Sequence, residues 1–235
     1  MTRWATALIA LLALAGCRDE TGRAAHSKPD LYVLTSLPLM FDEGFALGPA
    51  RGEAATFLRE RYTLKPIDLP SQLPKGAVLL AAQPRALPAE ELVALDKWVR
   101  DGGKLLLLAD PLLEWPSERA VGDRLRPPVS FADTGLLANW GLRLDAPDAR
   151  GLRHFPNEMA NVDTLSPGKL VNVGGPCSDD AEGISASCSL GQGEVFIIAD
   201  ADWLDVEGVR NAGGNSKENL IVLDLQLSRL SGTLK

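Results

Sequence analysis

The stretch AVLLAAQPRALPAEELVALDKWVRDGGKLLLLADP, residues 77–111, decides the fold class of this 235-residue chain. It opens on a continuous apolar run, Ala77 to Ala82, of the kind carried by a strand covered on both faces. A helix follows. Pro88 sits near its first turn, Glu90 and Glu91 favour its positive N-terminal end, and Leu92, Leu95, Trp98 and Val99 form one apolar face. Gly102-Gly103 stops the helix, and Lys104 to Ala109 resumes at once as a second buried strand built on Leu105, Leu106, Leu107 and Leu108. Strand, helix and strand joined by short connections make a βαβ unit, and hence a parallel pair.

Working outward, Leu31 to Thr35 and Leu64 to Leu69 read as short strands around a helix over residues 51–62, and Val195 to Ala199 as a late strand. The chain ends in a largely apolar helix over residues 216–230, with Leu220, Leu223, Leu227 and Leu230 along one stripe. Asn215 and Ser216 read as its caps, with Glu218 echoing a capping box. Residues 110–166 are rich in Pro and Gly and read as an irregular insertion or lid, with one helix near Asp133 to Trp140 and a short strand at Leu142 to Leu144. The expected architecture is α/β, a mostly parallel sheet with helices on both faces, folded as a single domain over residues 31–235.

Near the C-terminus, Ile184, Ala186, Cys188 and Leu190 alternate with Ser185, Ser187 and Ser189, so Cys188 faces the core from a strand. Cys177 closes the preceding apolar segment, and the acidic turn Ser178 to Gly183 lies between them. A hairpin stapled by a Cys177–Cys188 disulfide is expected. Zinc is a weak alternative, because two cysteines and two histidines, His26 and His154, do not assemble a four-ligand set.

The first seventeen residues run from the basic Arg3 through an eleven-residue apolar segment, residues 5–15, to Leu14-Ala15-Gly16-Cys17. The segment is too short to span a bilayer. This order resembles the lipobox of bacterial lipoproteins, in which residues 1–16 are removed as a signal peptide and Cys17 becomes an acylated, palmitate-bearing N-terminus. The resemblance implies an exported, membrane-anchored protein, a compartment in which disulfides persist. Residues 17–30 contain no large apolar residue and read as a flexible tether. Arg18 after the cysteine resembles lipoproteins sorted to the outer membrane. Without its signal the chain keeps 219 residues and a net charge of −8, with no basic cluster, which excludes nucleic acid as a partner.

Catalytic signatures are absent: no phosphate-binding loop, no dinucleotide fingerprint, no Gly-x-Ser-x-Gly elbow and no His-Glu-x-x-His. His154 sits in the loop-like Arg153-His154-Phe155-Pro156 without a recognisable partner. No catalytic residue, metal or cofactor is expected. In an open α/β sheet ligands gather beyond the C-terminal strand ends, which here carry Asp110, Asp200 and Asp202. These carboxylates either line a cleft for a small ligand or metal, or tie loops through backbone amides.

The quoted stretch, together with Gly191-Gln-Gly-Glu-Val-Phe-Ile-Ile-Ala-Asp-Ala-Asp-Trp-Leu204 and Asn219-Leu-Ile-Val-Leu223, resembles the uncharacterised ABC-transporter auxiliary and gliding-motility-type domains. Those domains are similar to class I glutamine amidotransferases and flavodoxin-like proteins in fold. In the amidotransferases the strand after the Gly-Gly turn leads to a cysteine nucleophile elbow. Here the matching strand ends in Ala109-Asp110-Pro111, and a proline after the turn has no amide hydrogen for an oxyanion hole. The resemblance therefore implies a non-catalytic auxiliary or binding component near an ABC-type transporter or other envelope protein, a partner that favours the inner membrane. The alternatives are a small-ligand or metal-binding protein or hydrolase using the three aspartates, and a structural envelope lipoprotein.

Overall fold

The computed structural model describes residues 28–43, 48–156 and 161–233. Cys17, the signal segment and nearly all of the tether lie outside the described residues. Among the described residues no helix is long and apolar enough to cross a membrane.

A seven-stranded sheet organises the chain. It is built from β1 (Asp30–Thr35), β2 (Thr63–Pro66), β3 (Val78–Ala82), β4 (Lys104–Leu108), β9 (Cys177–Asp179), β10 (Ser185–Leu190) and β11 (Gly193–Ile198). The spatial order is β2-β1-β3-β4-β11-β10-β9. The first five strands are parallel, and β10 and β9 are antiparallel additions at one edge. The fold is thus mixed α/β with a mostly parallel sheet.

Period-2 alternation divides the core into two layers. Leu106 and Leu108 of β4 join Leu80, Ala82 and Ile198, packed with Leu58 of α1 (Glu53–Arg61) and Leu223 and Leu227 of α5 (Lys217–Leu230). Leu105 and Leu107 point the other way, among Leu79, Ala81 and Ile197, and meet Leu95, Trp98 and Val99 of α2 (Ala89–Arg100). Helix α2 begins after Pro88, carries Glu90 and Glu91 in its first turn and Lys97 and Arg100 in its last, and ends where Gly102 adopts φ 107°.

The Cys177–Cys188 disulfide is present, joining cross-strand partners of the β9–β10 hairpin with Cα atoms 4.1 Å apart. Closing eleven residues of chain should stabilise the fold by about 3 kcal/mol on the chain-entropy model. Reduction is expected to lower the melting temperature while leaving the far-ultraviolet dichroism of the folded state unchanged. A melting curve identical with and without reductant would contradict it.

Three corrections to the sequence reading concern local structure. The stretch read as an irregular insertion holds the expected helix and strand, α3 (Leu136–Asn139) and β5 (Leu142–Asp145), and two strands that were not expected, β6 (Leu152–Pro156) and β7 (Asn161–Leu165). Strand β5 pairs with β8 (Lys169–Asn172), and β6 pairs with β7. Strands β6 and β7, LRHFP and NVDTL, are too polar to show an apolar period. Next, α4 (Val206–Asn211) occupies a stretch read as loop; Asp205 caps it by accepting from Gly208 N at 3.0 Å. Lastly, Ser216 is the N-cap of α5 without a side-chain bond, and Glu218 instead accepts from Asn161 N at 2.9 Å, so no capping box forms.

Candidate functional site

Strands β4 and β11 are adjacent and parallel, with Leu108 paired to Ile198, so the residues that follow them emerge side by side. Asp110 comes two residues after β4 and Asp200 two residues after β11, with Asp202 two residues farther on. The structure brings all three together: one carboxylate oxygen from each lies within 4.8 Å of the others. All three are 0% exposed, so they form a sealed cluster and not an open cleft, which corrects the Asp-lined cleft expected from sequence.

Backbone amides hold the cluster in place. Asp110 Oδ1 accepts from Leu112 N at 2.7 Å and Oδ2 from Ala201 N at 3.1 Å, so one carboxylate clips the end of β4 to the end of β11. Asp200 Oδ1 accepts from Trp203 N at 3.0 Å and from the hydroxyl of Thr164 on β7. Asp202 Oδ2 accepts from Glu114 N at 2.7 Å. The loop-tying role weighed in the sequence is therefore real, yet incomplete, because Asp200 Oδ2 and Asp202 Oδ1 are buried with no hydrogen-bond partner among the described residues.

Burial governs the electrostatics. Loss of hydration raises Asp110 to about 6 against amide bonds that pull it down. Asp202 rises to about 8 through burial first and the neighbouring Asp110 charge second. Asp200 is pushed well above the ordinary carboxylate range by burial, then by Asp110 and Asp202.

Residues invisible to sequence reasoning complete the surroundings. Gln83, at the end of β3, is buried with φ 44°; its Oε1 accepts from Asp110 N at 3.0 Å and its Nε2 donates to Asp110 O at 3.1 Å. Ser166, buried with φ 50°, donates to Glu114 Oε1 at 2.5 Å, and Glu114 is the residue whose amide reaches Asp202. These are the non-glycine residues with positive φ among those described, and both border the cluster. The strained strand-end turn therefore falls at Gln83-Pro84, and Asp110 has no such strain. The one available signal was Pro84 directly after a buried strand.

The structure also supplies the partner that sequence denied to His154. On the β6–β7 ladder His154 faces Asp163, with Nδ1 2.5 Å from Asp163 Oδ1. Asp163 is buried, and its backbone amide and carbonyl are both held by Asn219 of α5. Among the described residues no serine or cysteine lines the two surface cavities, of about 220 and 410 Å³, that His154 borders. Cys177 lies on the edge strand β9 and Cys188 on β10, and both are taken up in the disulfide.

Residues 28–165 match the family described as an ABC-type uncharacterised transport system. The chain belongs to this family. The match to this ABC-type family includes Asp110 and Thr164 and ends before Asp200 and Asp202. No curated protein matches the sequence. Among solved structures, an exo-β-1,4-mannosidase from Opitutaceae bacterium strain TAV5 is similar at 12% identity and TM-score 0.48, over 89% of this chain and 36% of that one. The chain thus spans about a third of the mannosidase's length. A cytoplasmic protein from Salmonella typhimurium LT2 is similar at 11% identity and TM-score 0.48, over 86% of this chain and 99% of that one. A ThuA-like protein from Bacteroides uniformis is similar at 12% identity and TM-score 0.44, over 92% and 95% of the two chains. At these values none of them bears on what this chain does.

Proposed function

We propose that this chain is a non-catalytic, membrane-tethered auxiliary component of an ABC-type transport system, with an amidotransferase-like domain over residues 31–235 whose sheet is covered by helices on both faces. Membership of the ABC-type family supports the association with a transporter. The observation that carries the non-catalytic part is the chemistry of the strand ends. Gln83-Pro84 and Asp110-Pro111 offer no serine or cysteine nucleophile, and neither proline has an amide hydrogen to stabilise an oxyanion. The nearby carboxylates are buried, and among the described residues the His154–Asp163 pair has no serine or cysteine beside its cavities. Such a protein works by holding a partner, and a lipid on Cys17 with the tether of residues 17–30 keeps it at the periplasmic face of the membrane where a permease is found.

Acylation is the part that a single substitution tests. The mature protein is expected to carry diacylglycerol and fatty-acyl mass on Cys17 and to sediment with membranes, and Cys17→Ser to release it into the soluble fraction. An unmodified N-terminus by intact mass would overturn the tethered reading. For the non-catalytic part, Asp110→Ala is expected to lower the melting temperature, and the unaltered chain to release no ammonia from glutamine; measurable turnover would overturn that part alone.

A further inference from the structure

The aspartate cluster carries an inference beyond a scaffold role and independent of the tether. Three carboxylates from two neighbouring strand ends are buried together, their oxygens within 4.8 Å of one another. Unneutralised, a triple negative charge is far too costly to bury there. The amide bonds described above satisfy part of the cluster and leave a definite remainder: Asp200 Oδ2 and Asp202 Oδ1, each fully buried and unpartnered. A proton shared between Asp110 and Asp202 would relieve repulsion between those two and still leave Asp200 Oδ2 without a donor. A cation among the three engages every carboxylate at once.

We propose that Asp110, Asp200 and Asp202 bind one hard divalent cation, Ca2+ or Mg2+, which clamps the end of β4 to the end of β11. The donor set fits that class. All three ligands are carboxylate oxygens, the choice of hard cations, and among the described residues no histidine or cysteine joins them, which disfavours zinc and copper. Two oxygens bound to one ion lie no farther apart than twice the bond length, about 4.6 to 5.2 Å for Ca–O, so a mutual separation within 4.8 Å meets the Ca2+ limit, and Mg2+, with bonds of about 2.0 to 2.1 Å, requires the carboxylates to draw closer. The role is structural. The three carboxylates are buried, so no substrate reaches the ion, enclosed water would complete its oxygen shell, and its effect is to replace the mutual repulsion of three strand-end charges by attraction.

The test begins with the unaltered chain, which needs no variant to fold. Protein purified from medium containing both cations and then desalted is expected to retain about one equivalent of Ca2+ or Mg2+ per chain by elemental analysis. After unfolding in EDTA and refolding, its melting temperature is expected to be lower, and to recover by about 5 to 10 °C when refolding is repeated with one of the two cations at roughly a hundred times its Kd. Terbium, a Ca2+ stand-in, should show luminescence sensitised by Trp203, the neighbour of Asp202. Asp202→Asn and Asp200→Asn should each abolish both the retained metal and the difference between EDTA and cation. Metal-free native protein whose melting temperature is the same in EDTA, Ca2+ and Mg2+ would overturn the proposal and leave protons as the neutralising charge. Full metal retention in both folded variants would overturn it equally. Neither result touches Cys17 acylation, which is read separately by intact mass.

Discussion

Thermal stability measured in EDTA is expected to fall as the pH rises from about 4 to about 8, the reverse of the usual behaviour of surface carboxylates. In the unfolded chain each aspartate titrates near its ordinary value of 3.8, whereas in the fold Asp110 is raised to about 6 and Asp202 to about 8, first by burial. Asp200 is raised further in the same direction. Between those limits the folded state binds more protons than the unfolded state, so stability is fully present below the unfolded value and is lost as pH climbs through the folded values. With about 1.4 kcal/mol for each unit by which a group is raised, the loss is on the order of several kcal/mol. Urea midpoints at pH 5, 6.5 and 8 measure it. Asp202→Asn should flatten the slope, because the amide has no charge to bury. A midpoint constant or rising across this range would show that the cluster is open to solvent and not sealed.

Gly193→Ala is expected to be the most damaging single methyl in the chain, costing about 3 kcal/mol or more. A Cβ at Gly193 would overlap the carbonyl oxygen of Val99 and sit 2.6 Å from that of Gly103. Both obstacles are backbone, one at the end of α2 and one in the turn to β4, and neither can rotate aside. Relief would require β11 to draw away from β4, breaking the Glu194–Lys104 end of their ladder. Soluble yield and urea midpoint are the readouts, with Gly48→Ala as the control, since a Cβ there meets nothing within 4 Å and should change stability by less than about 0.5 kcal/mol. A Gly193→Ala protein as stable as the control would mean that β11 does not pack against the end of α2 as described.

How far the candidate site was legible depends on which of its parts are local. The aspartates were found as candidates because strand ends can be read from apolar runs, and in parallel sheets those ends share one side. Their burial was not legible. It depends on the segment Leu112 to Glu114 folding back over them, and on Thr164 arriving from a strand too polar to be recognised. Gln83-Pro84 is legible as a strand end, but the conformations of Gln83 and Ser166 are not, since a positive φ at a residue other than glycine is imposed by its surroundings and leaves no mark in composition. His154 was misjudged because the partner that orients it, Asp163, faces it only through the register of β6 and β7.

The sequence by itself determined the βαβ core, the limits of α2, the face on which Cys188 points and the pairing of Cys177 with it. Each of these rests on periodicity, helix-end residues or short spacing, which act over a few neighbouring residues. Only the tertiary structure decided that β11 lies against β4, so that Asp110 meets the amide of Ala201, 91 positions away. Strand partnership over that distance is settled by the competition of whole surfaces for burial, and no local pattern records its outcome. The same competition sealed three carboxylates in the interior, and their chemistry follows from that burial and not from the letters that encode them.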